Sequence, residues 1–146
     1  MDEQRFGGRK IKISSTDKIY FPKSGITKGE FIDYYVRISD TILPYLKNRP
    51  ISMLRMPEGI KGEIFFQKDA GSYFPEWIKT EKVPKKNGGK VDHVICNNKA
   101  TLIYLANQGC VTPHVWLSKV DKLDFPDRLI FDLDPAGSQN FNDVQA

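Results

Sequence analysis

The sequence predicts one α/β domain, and three observations carry that expectation. Its 146 residues are enough to bury a single core. No Pro-, Gly- or Ser-rich linker, internal repeat or low-complexity tract divides residues 1–146. Helical and strand periodicities alternate along the chain instead of forming separate blocks.

Taken in order, KIKI at 10–13 alternates as a short strand does and leads into the turn-rich SSTDKIYFPKSG. Thr27 followed by Glu30 has the spacing of a capping box. Phe31, Tyr34, Tyr35, Ile38, Ile42 and Leu46 then keep a helical stripe, so a helix is expected from about 28 to 47. Pro44 is expected to kink that helix or shorten its end. ISMLR at 51–55 and GEIFFQK at 62–68 read as two strands joined by a turn containing Pro57, Glu58 and Gly59. VPKKNGGK at 83–90 reads as an exposed, mobile loop. A strand at about 91–95 follows, then a helix from about 98 to 108 stopped by Gly109. A strand pattern runs through VTPHVWLSK, and RLIFDLD at 128–134 closes the series as an apolar strand.

Composition narrows the function classes. Hydrophobic residues at 40% and aromatics at 12% exclude a disordered chain. No apolar run approaches the roughly 20 residues that cross a bilayer, so no membrane association is expected. MDEQRFGGRKIKIS has no apolar core of a secretion signal, which places the protein inside the cell. Cys96 and Cys110 are too far apart for a CxxC pair, and His93 and His114 complete no familiar zinc spacing, so two buried free thiols are expected. The net charge of +4 permits a polyanionic partner. Its distribution is uneven: Arg9, Lys10, Lys12, Lys18, Lys23 and Lys28 form one basic cluster, and Lys79, Lys82, Lys85, Lys86 and Lys90 a second. Solvated faces are the plain alternative for both.

The chemistry-bearing residues fall in three places. On a strand, Asp132 and Asp134 share a face with their roots roughly 7 Å apart, which suits a hard divalent ion such as Mg²⁺ or Mn²⁺ held by oxygen ligands. The alternative is a strand that ends at a polar Asp-Pro turn. The same FDLD also suggests a phosphatase whose first aspartate is phosphorylated, but that motif is DxDGT near an N-terminus and this one is DxDPAG near the end of the sequence. Phe65 and Phe66 are strand neighbours facing opposite sides, so one can enter the core while the other is exposed, with both rings buried between layers as the alternative. Flanked by Arg55, Lys61 and Lys68, the exposed ring would stack on a nucleic-acid base beside phosphate contacts. Lys18 and Lys28 flank a turn and a helix start, where free backbone N–H groups favour a phosphate.

DKIYFPKSGITKGEFIDYY, RPISMLRMPEGIKGEIFFQK, ATLIYLANQG and HVWLSKVDKLDFPDRLIFDLDP, in this order across residues 15–137, resemble the first half of the polymerase domain of DNA ligase D. This is a fold of the archaeo-eukaryotic primase type used in non-homologous end joining. The resemblance implies a mainly antiparallel central sheet flanked by helices, with 1–146 forming the N-terminal part of a primase-polymerase domain. It implies that Asp132 and Asp134 bind the catalytic divalent ions, Mn²⁺ or Mg²⁺. It makes Lys18 and Lys28 the residues that grip the 5′-phosphate at a DNA double-strand break, with Ser15 standing where relatives often carry asparagine. Phe65 and Phe66 correspond to an aromatic pair that packs against template and incoming base, Arg55 and Lys68 to the template path, and His114 to a histidine near the nucleotide. The 83–90 loop corresponds to one that brings DNA ends together. The implied reaction is attack of a primer 3′-hydroxyl on a nucleoside triphosphate, in company with Ku and an ATP-dependent DNA ligase, in the cytoplasm at the nucleoid. In relatives, a Ser-x-His segment and a third carboxylate come from beyond the matching region. A non-catalytic module that recognises a 5′-phosphate at DNA ends is therefore the competing expectation.

Overall fold

The computed structural model describes residues 2–85, 87–134, 136–137 and 140–142. The chain opens with a hairpin of β1 (Asp2–Phe6) and β2 (Arg9–Ile13), turned by Gly7 and Gly8, both at positive φ. Two short antiparallel strands, β3 (Ile19–Phe21) and β4 (Ile26–Thr27), occupy the stretch expected to be turns alone. Helix α1 (Lys28–Leu46) begins where the capping box lies: Thr27 Oγ1 accepts from Glu30 N, and Thr27 N donates to the Glu30 carboxylate at 2.8 Å. Pro44 sits within the helix, which continues to Leu46.

The sheet is built on β5 (Pro50–Arg55). Along one edge it pairs with β8 (Lys90–Ile95) at Pro50–Ile51 and with β6 (Phe65–Gln67) at Met53–Arg55. Along the other it pairs with β9 (Cys110–Val115), and β7 (Thr80–Pro84) extends the sheet beyond β8. Every pairing is antiparallel. Helix α2 (Lys99–Asn107) starts at Asn98, whose side chain accepts from Thr101 N, and ends before Gly109 at φ +77°. Gly109 is required there twice over, because a Cβ would also stand 2.9 Å from Pro57 Cα.

Alternation along β5 sorts the two faces of the sheet. Ile51 and Met53, with Val94 of β8, enter one core with Phe31, Ile32 and Tyr35 of α1 and Leu102, Ile103 and Leu105 of α2. Both helices therefore cover the same face. Ser52 and Leu54 point the other way, beside His114 and Thr112 of β9 and Phe66 of β6. That second face carries the open surface. Cys96 and Cys110 are buried free thiols, each pushed up to about 12 by burial. Among the described residues no helix is long and apolar enough to cross a membrane.

Three expectations are corrected. The 83–90 stretch is not a loop throughout: Val83 and Pro84 end β7, Lys90 starts β8, and Lys85 N closes the tip on Gly89 O at 3.0 Å. Val83 opposite Val91 supplies the apolar pair that a lysine-rich composition concealed. Lys86 lies outside the described residues. The strands at 62–68 and 111–119 are shorter than expected, ending where pairing with β5 ends. Residues 128–134 form no strand: Leu129, Ile130, Phe131 and Leu133 are 65–78% exposed, and none pairs with another described strand. An apolar alternation becomes a strand only where a neighbouring edge satisfies its backbone groups.

Candidate nucleic-acid interface

Two lysines meet at the start of α1. Lys28, the first helical residue, is only 6% exposed. Its Nζ donates to Ser14 Oγ at 3.4 Å. Ser14 is held in turn by Asn107, whose side chain accepts from Ser14 N and donates to Lys12 O, joining the end of β2 to the end of α2. Burial, and then the neighbouring Lys18 ammonium, push Lys28 down to about 8. No carboxylate among the described residues forms an ion pair with Lys28, and the smaller attraction of Glu58 does not offset these effects, so the cation gains from an incoming anion. Lys18 Nζ is already engaged with Glu58 Oε1 at 2.7 Å and Pro57 O at 3.4 Å. Glu58 is placed by the 57–60 turn, which docks on β3 through Ile60 N to Tyr20 O at 3.0 Å. An anion arriving between the lysines competes with Glu58 for Lys18.

The backbone at this corner departs from expectation. The N–H groups of Lys28 and Gly29 donate to Lys18 O and Thr16 O at 2.7 and 2.8 Å, and Glu30 N is taken by Thr27. The first-turn donors are consumed by the chain itself, which leaves side chains to bind an anion. Ser15 lies at φ +55° and its N-terminal neighbour Ser14, missed in the sequence reading, is the serine that touches Lys28. Ser15 O accepts from Lys18 N at 3.1 Å, so its role here is to turn the backbone.

The open face of the sheet gathers the aromatic residues. The Phe66 ring lies 5.8 Å from His114, and Lys68 Nζ lies 5.8 Å from the same ring. Cross-strand pairing explains the cluster: Leu54 faces Phe66 on β6 and Ser52 faces His114 on β9, so two same-face positions of β5, two residues apart, bring them together. Both phenylalanines are exposed, Phe65 at 47% and Phe66 at 57%, whereas at least one was expected in the core. Strand β6 is only three residues long and pairs with the far end of β5, so Phe65 emerges beside Arg55 with no helix above it. The Arg55 guanidinium is committed internally: Nε donates to Gln108 O at 2.9 Å and Nη1 to Gln67 Oε1 and Tyr73 Oη at 2.5 and 2.7 Å. It buttresses a cleft of ≈ 830 Å³ that Phe65, Phe66 and Lys68 also line.

Asp132 and Asp134 are exposed and neither makes a hydrogen bond or ion pair with another described residue. Two unengaged carboxylates one residue apart are oxygen donors of the kind Mg²⁺ or Mn²⁺ takes, and in that respect they fit such an ion. Their segment leaves the fold at an anchor that sequence reasoning missed. Arg49, 1% exposed, donates from Nη1 to Trp116 O and Leu117 O at 3.2 and 2.7 Å and pairs through Nη2 with Asp127 at 2.7 Å. The guanidinium holds the Asp127 carboxyl below its ordinary range. Arg128 then donates to Tyr45 O at 2.9 Å. An arginine at the start of a strand carries no sequence signal for burial, because its partner is distant along the chain.

Comparison with known proteins agrees with this architecture. Residues 27–146 match the family described as LigD, primase-polymerase domain. The Bifunctional non-homologous end joining protein LigD of Bacillus subtilis (strain 168) is 36% identical over 132 residues, 90% of this chain and 21% of its own length. The Multifunctional non-homologous end joining protein LigD of Mycolicibacterium smegmatis is 31% identical over 129 residues, 87% of this chain and 17% of its own. The chain thus spans about a fifth of the curated relatives it matches. Among solved structures, the polymerase domain from Mycobacterium tuberculosis Ligase D in complex with DNA superposes with a TM-score of 0.72 at 26% identity, covering 75% of this chain and 38% of that one. With a family match over most of its length and a solved relative of the same fold, the chain belongs to the LigD primase-polymerase domain family of non-homologous end joining.

Proposed function

We propose that this chain binds 5′-phosphorylated DNA ends at double-strand breaks and contributes to nucleotide addition there by two-metal nucleotidyl transfer. The observation that carries the reading is the Lys18–Lys28 corner, where a buried lysine with no ion-pair partner among the described residues stands beside a second lysine. A terminal phosphate would gain charge-assisted contacts from both and relieve their mutual repulsion. Phe66, with His114 and Lys68 around it, offers a stacking platform and a cation to an unpaired base, and Phe65, on the opposite side of β6, lines the neighbouring cleft where the template strand would pass. Arg55 acts as a support for this cleft.

In the nucleotidyl-transfer step, Asp132 and Asp134 would hold Mn²⁺ or Mg²⁺, and that ion would supply the positive charge that activates the primer 3′-hydroxyl and offsets charge on the departing pyrophosphate. His114 would lie close to the nucleoside triphosphate. Ku and a DNA ligase would act on the same ends, at the nucleoid. A second reading, a 5′-phosphate-binding module without catalysis, is favoured by one contrast. The lysine corner is assembled within the fold, whereas the Asp132–Asp134 segment lies exposed and unpaired.

Primer extension on a recessed, 5′-phosphorylated duplex with Mn²⁺ and ribonucleotides separates the two. Extension that Asp132→Ala abolishes supports the enzyme. Phosphate-dependent binding with no extension supports the module, and the absence of both refutes the proposal.

A further inference from the structure

A second cavity opens on the same sheet face as Phe66 and His114, with a volume of ≈ 430 Å³. Its floor includes Val83 and Val91, the facing pair of the β7–β8 hairpin, and its walls include His93 and Trp116. Lys68 and Lys85, both exposed, line it as well. Lys68 is the residue whose ammonium lies against Phe66, so cavity and platform share a side chain.

His93 gives the cavity its polarity. It is 2% exposed, and its Nδ1 lies 3.0 Å from Ile51 O. A carbonyl oxygen only accepts, so Nδ1 carries the proton, and in the neutral ring Nε2 is a lone-pair acceptor. Nε2 has no partner among the described residues. The imidazole meets Trp116 edge to face, with centroids 5.7 Å apart. The site thus combines an aromatic wall, an imidazole acceptor and two cations.

From this combination we infer that the cavity holds one unpaired nucleotide whose base carries an exocyclic amine, adenine, cytosine or guanine, and excludes thymine. The base lies against Trp116, its amine donates to His93 Nε2, and its phosphate meets Lys68 and Lys85. A deoxynucleotide fits a cavity of this size, and an exocyclic amine supplies a donor for the His93 Nε2 lone pair. The inference rests on the reading of this face as a nucleic-acid surface. It adds a pocket for a base that has left the stack beside the Phe66 platform.

Isothermal titration of the chain with dAMP, deoxyadenosine and dTMP tests it. The expected order is dAMP tightest, with deoxyadenosine weaker for lack of a phosphate and dTMP weaker for lack of the amine. Trp116→Ala should weaken dAMP about fivefold or more. Lys85→Glu, in an exposed turn whose closing contact is made by backbone, should weaken dAMP while leaving deoxyadenosine unchanged, and it keeps the test decisive if Trp116→Ala fails to fold. Equal affinity for dAMP and dTMP, or dAMP binding indifferent to both substitutions, overturns the inference. Binding of a 5′-phosphorylated duplex is measured in parallel. If the duplex binds through Lys18 and Lys28 while dAMP does not bind, this pocket alone is wrong. If dAMP binds as described and the duplex does not, the pocket stands and the proposed function falls.

Discussion

Raising the pH from 7 to 9 should selectively weaken recognition of a DNA 5′-phosphate. Lys28 is held down to about 8 by burial and by Lys18, so in the free chain it passes from about ten-elevenths protonated at pH 7 to about one-eleventh at pH 9. A terminal phosphate has its second pKa near 6 and stays a dianion across this range. If the bound phosphate restores Lys28 to an ordinary lysine, apparent affinity scales with the protonated fraction and falls about tenfold over the two pH units. Stability of the free chain moves the opposite way. Between about 8 and the ordinary lysine value the unfolded chain binds more protons than the folded one, so this group's contribution to stability rises with pH. Fluorescence anisotropy with matched recessed duplexes, one ending in 5′-phosphate and one in 5′-hydroxyl, reads the ratio of dissociation constants and cancels general charge effects. Lys28→Arg keeps a permanent cation and should flatten the pH step. An unchanged ratio from pH 7 to 9 in the wild type, or an equal step in Lys28→Arg, refutes the reasoning.

Other expected outcomes follow from single contacts. Gly59→Ala places a Cβ 2.9 Å from Tyr20 O at φ +84° and should cost about 2 kcal/mol or more, while Gly8→Ala, at φ +80° with nothing within 4 Å, should cost only the left-handed backbone preference of about 1 kcal/mol. Paired thermal melts read the difference. Phe66→Ala should weaken a single-stranded overhang about fivefold or more in a binding titration while leaving the melting temperature nearly unchanged, because the ring is exposed. Asp127 owes its lowered pKa to Arg49, so its contribution to stability is present above the ordinary aspartate value and is lost as pH falls through the folded one. Asp127→Asn should flatten the decline in melting temperature below about pH 4.

Local signals were legible where the chemistry is local. The Thr27–Glu30 box and its apolar stripe define α1 because capping and periodicity lie within one segment. The β5–β6 pairing was readable for the same reason, with a turn between two β-rich runs. In the β1–β2 hairpin, alternation in KIKI marked β2, whereas polar β1 was hidden and its signal lay in Gly7-Gly8 and the pairing with β2. Strand β7, TEKVP, has one buried valine among polar residues and a proline, so its identity comes from pairing with β8. The 128–134 segment shows the converse, an apolar alternation without a partner edge among the described residues. The lysine corner was visible as residue types, whereas the competition from Glu58 and the support from Ser14 and Asn107 arise from contacts between distant parts of the chain.

The central claim is that Lys18 and Lys28 together form a 5′-phosphate site, and the most direct measurement is phosphate discrimination at pH 7. The ratio of dissociation constants for 5′-hydroxyl and 5′-phosphate duplexes is compared in the wild type and in the Lys18→Ala/Lys28→Ala double variant. Charge-assisted contacts of about 1.5–3 kcal/mol each predict a wild-type preference of tenfold or more that the double variant loses. A wild type indifferent to the phosphate, or a folded double variant that keeps the preference, would contradict the account.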